Sequence, residues 1–274
     1  MAKRRLLDIA RYAFLFLGLL LVALPMLFVF ISSFKHSAEL YGSPWALPQL
    51  WDFTPYRRLF TEFGFGRAFL NSGRYSVIGC AATVALITPC AYAIARMRWR
   101  LNKLVLGFIM LGIMIPIHAI VIPLYATASK INMPSPVMLQ IIYIATSIPT
   151  SLFIMTGFME TIPFELEEAA VLDGCSIPQT FLRIVCPLVT PSLATITILN
   201  FNGIWNDYML ALIFLSGGKY QTVQLAVTNF DSSRATNYPM LLSAIIVVLV
   251  PSVIVCCIMT DKLTAGITAG AVKG

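Results

Sequence analysis

The sequence predicts an all-α integral membrane protein with six transmembrane helices. Both termini lie on the inner side, where a polar helix–turn–helix joins spans four and five. Three observations carry this. Only 11% of the 274 residues are charged and 58% are hydrophobic; a soluble domain has about 25% charged residues, so this chain lacks the polar surface to cover itself in water. The apolar residues fall in runs of about twenty, enough to cross a ~30 Å hydrocarbon core at ~1.5 Å per residue. Lys and Arg are also distributed unevenly between the loops of the two sides.

The runs are 12–34, 72–95, 104–128, 136–159, 188–216 and 239–260, and they form one transmembrane domain, 1–274, without a long linker, an internal repeat or a low-complexity segment. The first run follows Lys3, Arg4 and Arg5, as the core of a secretory signal would. It exceeds the usual length of such a core, and "SSFKHSAEL" offers no small-x-small cleavage site, so a retained helix is expected. Pro25, Pro89, Pro116, Pro123, Pro149 and Pro251 fall inside runs. Each removes a backbone hydrogen bond and should kink or open its helix, which lipid tolerates only where neighbours or a water-lined cavity satisfy the freed carbonyls.

Orientation follows from the flanking cations. Lys3, Arg4, Arg5 and Arg11 precede the first run, and Arg96, Arg98, Arg100 and Lys103 crowd the short loop after the second, whereas the loop after the third holds only Lys130. This places the N-terminus inside, and six crossings return the C-terminus there. Lys35, Arg57, Arg58 and Arg67 in the first outer loop oppose the trend, but that loop is long and also carries Glu39, Asp52 and Glu62. In it, "SPWALPQLWDFTPYRRLF" suits a short interfacial helix or turn, with Trp45, Trp51 and Tyr56 as belt residues. The outer loop from Gly217 to Tyr238 is polar and should cap the bundle.

Several functions are excluded. The six cysteines lie in spans or on the reducing inner side without the paired spacing of a zinc site, and the two histidines are far apart, so no metal site is expected. The net charge of +7 is split between loops on both faces without aromatic interleaving, which suits anchoring to the lipid bilayer rather than binding nucleic acid. No G-x-x-x-x-G-K-[ST] occurs, so the chain cannot bind ATP by that route. A membrane-embedded enzyme would need a Ser/His or Asp pair at depth. The spans hold one carboxylate, Asp207, and one histidine, His118, which is expected to bond a carbonyl freed by the neighbouring prolines.

The stretch "EEAAVLDGCSIPQTFLRIVCPL" is the polar exception. Thr161 can cap a helix with Pro163 in its first turn and Glu165, Glu167 and Glu168 favouring its start. Gly174 can adopt the left-handed conformation that ends it. Ser176 and Gln179 then form a capping-box pattern, and Ile177, Phe181 and Ile184 make one apolar stripe. Such a hairpin, with one apolar and one acidic face, serves equally well as a lid packed on its own bundle or as a docking element for another protein.

The same residues resemble the EAA loop of ABC importer permeases: Glu168, Ala169, Ala170, Asp173, Gly174, Phe181, Ile184 and Pro187 match its pattern, with Cys175 and Cys186 departing from it. "WNDY" at Trp205–Tyr208, "SSFK" at Ser32–Lys35 and the ending "LTAGITAGAVKG" resemble the carbohydrate branch, specifically the second permease subunit of maltose-type and glycerol-phosphate-type systems. The resemblance implies a multi-pass subunit of the bacterial plasma (inner) membrane that pairs with a homologous permease, two ABC ATPase subunits and an extracytoplasmic substrate-binding protein. It also implies that the inner hairpin, 161–187, is a coupling helix seated on the ATPase. Glu168 would then pair with a base there, Ala169 and Ala170 would permit close approach, and Gly174 would supply the turn. The tail Ala271, Val272, Lys273 and Gly274 becomes a second ATPase contact, and ATP and Mg are bound by the partner subunits only. The expected cargo is a sugar, polyol or sugar phosphate, with an amino acid or peptide as the alternative.

A sugar path needs hydrogen-bonding groups, and Asn200, Asn202, Asn206 and Asp207 offer them, while Trp205 or Tyr208 could stack on a ring. Asp207 has a second reading, as an aspartate near the outer end of its span held by a local partner, since an unpaired charge at mid-bilayer costs about 2.5–3.5 kcal/mol.

Overall fold

A computed structural model describes residues 2–97, 99–131, 133–215, 218–230 and 237–271. These are predominantly helical, with no strand among them. Four helices are long and apolar enough to cross a membrane: α1 (Ala2–Ser32), α4 (Phe65–Arg96), α7 (Ser135–Met159) and the final helix (Tyr238–Ala271). Pro25, Pro89, Pro149 and Pro251 sit inside these four helices without ending them.

The third expected span is not one helix. It divides into α5 (Asn102–Met114) and α6 (Ile117–Ala128), bent by 100° at the break. Pro116 is the N-cap of α6, and Ile115 before it is extended; proline both lacks the N–H needed to continue the ladder and pushes its predecessor out of the helical region. The fifth expected span, 188–216, is likewise two pieces, α10 (Thr190–Trp205) and α11 (Met209–Leu215). α10 is preceded by α9 (Ile177–Leu188) at a bend of 70°. The last helix runs beyond the expected end at 260 to Ala271.

The chain forms two compact units, Met1–Gly66 with Ala226–Val250 and Arg67–Leu225 with Pro251–Gly274. In the first, the segment after α1 folds into α2 (Ser37–Gly42) and α3 (Thr54–Thr61). Phe34 gathers Phe30, Trp51, Phe53 and Tyr56 around its ring at 5.1–5.3 Å. Trp45 and Trp51 are exposed, as belt residues would be, whereas the Tyr56 hydroxyl lies 2.6 Å from that of Ser33 and holds the loop to the end of α1. Buried Lys35 donates to the carbonyls of Ser43 and Pro44.

In the second unit, α5, α10 and α11 pack on α7, and α11 also packs on α6. Two apolar clusters result. One joins Met138, Leu139, Ile142 and Tyr143 of α7 to Ile204, Leu210 and Phe214. The other joins Ile87, Ala91 and Tyr92 of α4 to Leu152, Met155, Val185 and Val189, which fastens the helix preceding α10 to α4 and α7.

Candidate coupling hairpin and translocation cavity

The hairpin is built by local chemistry. Its first helix, α8 (Glu165–Leu172), carries Glu165, Glu167 and Glu168 in the first turn, where carboxylates complement the helix dipole. Phe164, not Thr161, is its N-cap; the Thr161 hydroxyl turns back to the Phe158 carbonyl, and Pro163 lies before the helix rather than in its first turn. The far end is a Schellman motif. Gly174, at φ +87°, donates its N–H to the Val171 carbonyl, and Cys175 donates to Ala170 at 2.9 Å. Ser176 then caps α9, whose Gln179 side chain accepts the Ser176 N–H at 2.8 Å.

Beyond Thr180 the helix widens into a π-turn, Phe181–Val185. The extra residue per turn rotates everything after it, so the expected stripe of Ile177, Phe181 and Ile184 does not form one face. Ile177 is exposed, Phe181 and Ile184 are half-buried, and Thr180, Val185 and Val189 are the residues turned inward. Phe181 packs on Tyr92 at 5.0 Å between ring centroids.

The matched residues therefore divide between two sides. Glu168, Ala169, Asp173, Gly174 and Pro187 are exposed. Ala170 is buried against the chain's own bundle, so of the two alanines only Ala169 can meet a partner. A groove of about 480 Å³, lined by Met97, Phe164, Glu168, Val171, Leu172 and Ile177 among others, runs along the hairpin beside the end of α4. One residue escaped the sequence reading. Glu167, read only as a helix-start acid, is buried with its carboxylate 2.8 Å from the Arg96 Nε. Its neighbour Glu168 points the other way; α8's 3.6-residue period separates them by about 100°, and no pattern within the stretch says which of the two turns inward.

Cys175 and Cys186 are free. Cys175 closes the Schellman motif through its backbone N–H, which any residue but proline could do. Cys186 is half-buried, and burial raises its thiol pKa above the ordinary value.

A second concavity, about 710 Å³, lies among α6, α7, α10 and α11. Its polar wall comprises His118, Thr146, Ser147, Thr150, Asn200 and the Asn206–Tyr208 stretch. Asn200 bonds Ser151 at 3.0 Å, and Asn206 accepts from Gln224 and donates to the Asn202 carbonyl. Asp207 is held from three directions. It accepts the Tyr143 hydroxyl at 2.7 Å and the N–H groups of Ala211 and Leu210 at 3.0 and 3.3 Å, capping α11. His118 is exposed with no hydrogen-bond partner among the described residues. The break at Pro116 puts it on the cavity wall instead of beside a freed carbonyl.

Two expected path residues lie elsewhere. Trp205 is 2% exposed, stacked on Phe201 at 5.6 Å and edge-on to Phe69 at 5.1 Å, so it cannot receive a sugar ring. Asn202 turns toward the last helix, with Nδ2 3.6 Å from the Cys256 sulfur. Helix α10 points only one of its faces at the cavity, the one bearing Leu199, Asn200, Gly203 and Ile204. Ala271 ends the last helix, and Val272, Lys273 and Gly274 lie outside the described residues.

Residues 85–263 match the model of a family described as binding-protein-dependent transport system inner membrane component. The chain belongs to that family. The permease is 35% identical to a putative ABC transporter permease protein, ORF2, of Caldicellulosiruptor sp. (strain Rt8B.4), over 97% of this chain and 98% of the relative. It is 31% identical to the trehalose transport system permease protein SugB of Mycobacterium tuberculosis, over 92% of each. It is also 30% identical to the multiple sugar-binding transport system permease protein MsmG of Streptococcus mutans, over 96% of each. Its fold matches a chain in the crystal structure of a bacterial ABC transporter involved in the import of the acidic polysaccharide alginate, with a TM-score of 0.85 and 22% identity over 95% of this chain and 98% of that one. The permease is thus a multi-pass, all-helical transport component rather than a catalyst.

Proposed function

We propose that the permease is one of two homologous membrane subunits of a bacterial sugar importer and that its inner hairpin receives the stroke of an ATPase. It crosses the plasma (inner) membrane six times, α5 with α6 serving as the third crossing and α10 with α11 as the fifth, with both termini inside. Two ATPase subunits carry the ATP and Mg, and an extracytoplasmic binding protein delivers the cargo. The names of the relatives, which include trehalose and multiple-sugar permeases, support a sugar over an amino acid or peptide.

The observation that carries the coupling role is the two-sided hairpin. Its inner face is pinned to α4 through Glu167, while Glu168, Ala169, Leu172 and Ile177 stand exposed around a rigid Schellman turn. Leu172 is 87% exposed, and an exposed apolar patch edged by carboxylates is suited to a protein partner. Ala271–Gly274 is a second contact for the ATPase. In the cavity, Asn206 and Tyr208 hydrogen-bond the cargo, while Asn200, buried and bonded to Ser151, and Asp207 serve as braces.

The test is Gly174→Val in the assembled complex. A β-branched residue strains at positive φ, although nothing stands within 4 Å of the added Cβ. Uptake and substrate-stimulated ATP hydrolysis should both collapse. If both persist at the wild-type level, the hairpin is not the docking element.

A further inference from the structure

The hairpin is attached to the spans in two ways. One is covalent: α9 runs through Val189 into α10. The other is a buried ionic junction on α4. Arg96, in the last turn of α4, lies 2.8 Å from Glu167, with both side chains under 10% exposed. Its Nη2 donates to the Ile162 carbonyl at 2.7 Å, and its guanidinium stands 5.8 Å from the Phe164 ring. Tyr92, one turn earlier on α4, donates its hydroxyl to the other Glu167 oxygen at 2.9 Å. Two residues of α4 thus hold α8 and the connector leading into it, Tyr92 by a hydrogen bond to Glu167 and Arg96 by an ion pair with the other Glu167 oxygen and a hydrogen bond to Ile162.

Such a junction is poorly explained as a stabilising device, because desolvating two charges offsets much of their attraction. Its distinctive property is direction. Apolar contacts can slide over one another, whereas the Tyr92 bond to the Glu167 carboxylate and the Arg96 bond to the Ile162 carbonyl are directional and hold α8 and its connector at two points. We propose that Arg96 and Tyr92, acting through Glu167, form a positioning latch that makes α4 and the inner hairpin move as one body. A displacement of the hairpin then reaches α4 as well as α10. The latch rests on the coupling role proposed above.

The test uses the full complex in lipid nanodiscs, with the six native cysteines replaced by alanine and spin labels at Leu172→Cys on the hairpin and Val77→Cys on α4. Both parent side chains are exposed. Distances are measured without nucleotide and with ATP-vanadate. With the latch intact, the hairpin–α4 distance stays the same in both states. Glu167→Gln and Arg96→Met leave the resting distance in place but shift or broaden it by about one helical turn, ~5 Å, under ATP-vanadate. Tyr92→Phe, which removes a single hydroxyl, shifts it less, and Arg96→Glu with Glu167→Arg restores the narrow distribution. The latch is overturned if the unmodified junction itself shows the shift, or if these variants, including the mild Tyr92→Phe, keep one distance throughout. A Leu172→Cys label whose mobility ignores ATP-vanadate would instead remove the coupling reading, and the latch with it.

Discussion

Tyr143 on α7 donates its hydroxyl to Asp207 at 2.7 Å, tying the break between α10 and α11 to the neighbouring helix. Because Asp207 also accepts two N–H groups at the start of α11, its charge is spent on holding the chain where it bends. Tyr143→Phe removes one hydrogen bond to a charged group, about 1.5–3 kcal/mol. The apparent melting temperature in detergent should fall by several degrees. Asp207→Asn should keep cargo affinity, since the amide oxygen still accepts from Tyr143. A large loss of affinity with unchanged melting would make Asp207 a cargo ligand instead.

Gly112 of α5 is a point of close approach. A Cβ there would lie 2.7 Å from Cγ of Pro149 on α7, a ring that cannot swing aside. Small residues at helix contacts are how membrane bundles achieve such packing. Gly112→Ala should therefore destabilise: overpacking costs about 1–3 kcal/mol, which exceeds the gain of up to ~1 kcal/mol in helix propensity. Thermal unfolding would show this, and the penalty should shrink in a Pro149→Ala background. An increase in stability on Gly112→Ala alone would contradict the contact.

Burial raises the Cys186 thiol pKa, so the thiol keeps its proton to a higher pH than a free cysteine. The reactive species is the thiolate. In a variant retaining only Cys186, maleimide labelling should be slower than in the unfolded chain at pH 7.5, with its pH midpoint displaced upward. A midpoint at or below that of the unfolded chain would contradict the burial.

What the sequence determined alone was local or additive. Run length and composition identify the apolar helices long enough for a membrane, four of them unbroken, because crossing hydrocarbon is a matter of apolar length. Gly174 and the Ser176–Gln179 pair mark the hairpin's turn and cap because those motifs are satisfied within a few residues. The tertiary structure decided direction. Glu167 turns inward and Glu168 outward because Arg96 and Tyr92, some seventy residues away, meet only one of them. The π-turn at Phe181–Val185 rotates the stripe that Ile177 and Ile184 were expected to share. Trp205 packs between Phe69 and Phe201 because α10 can offer the cavity only one face. A periodic pattern says which residues share a side of a helix, but only the partners packed around that helix determine which side faces them.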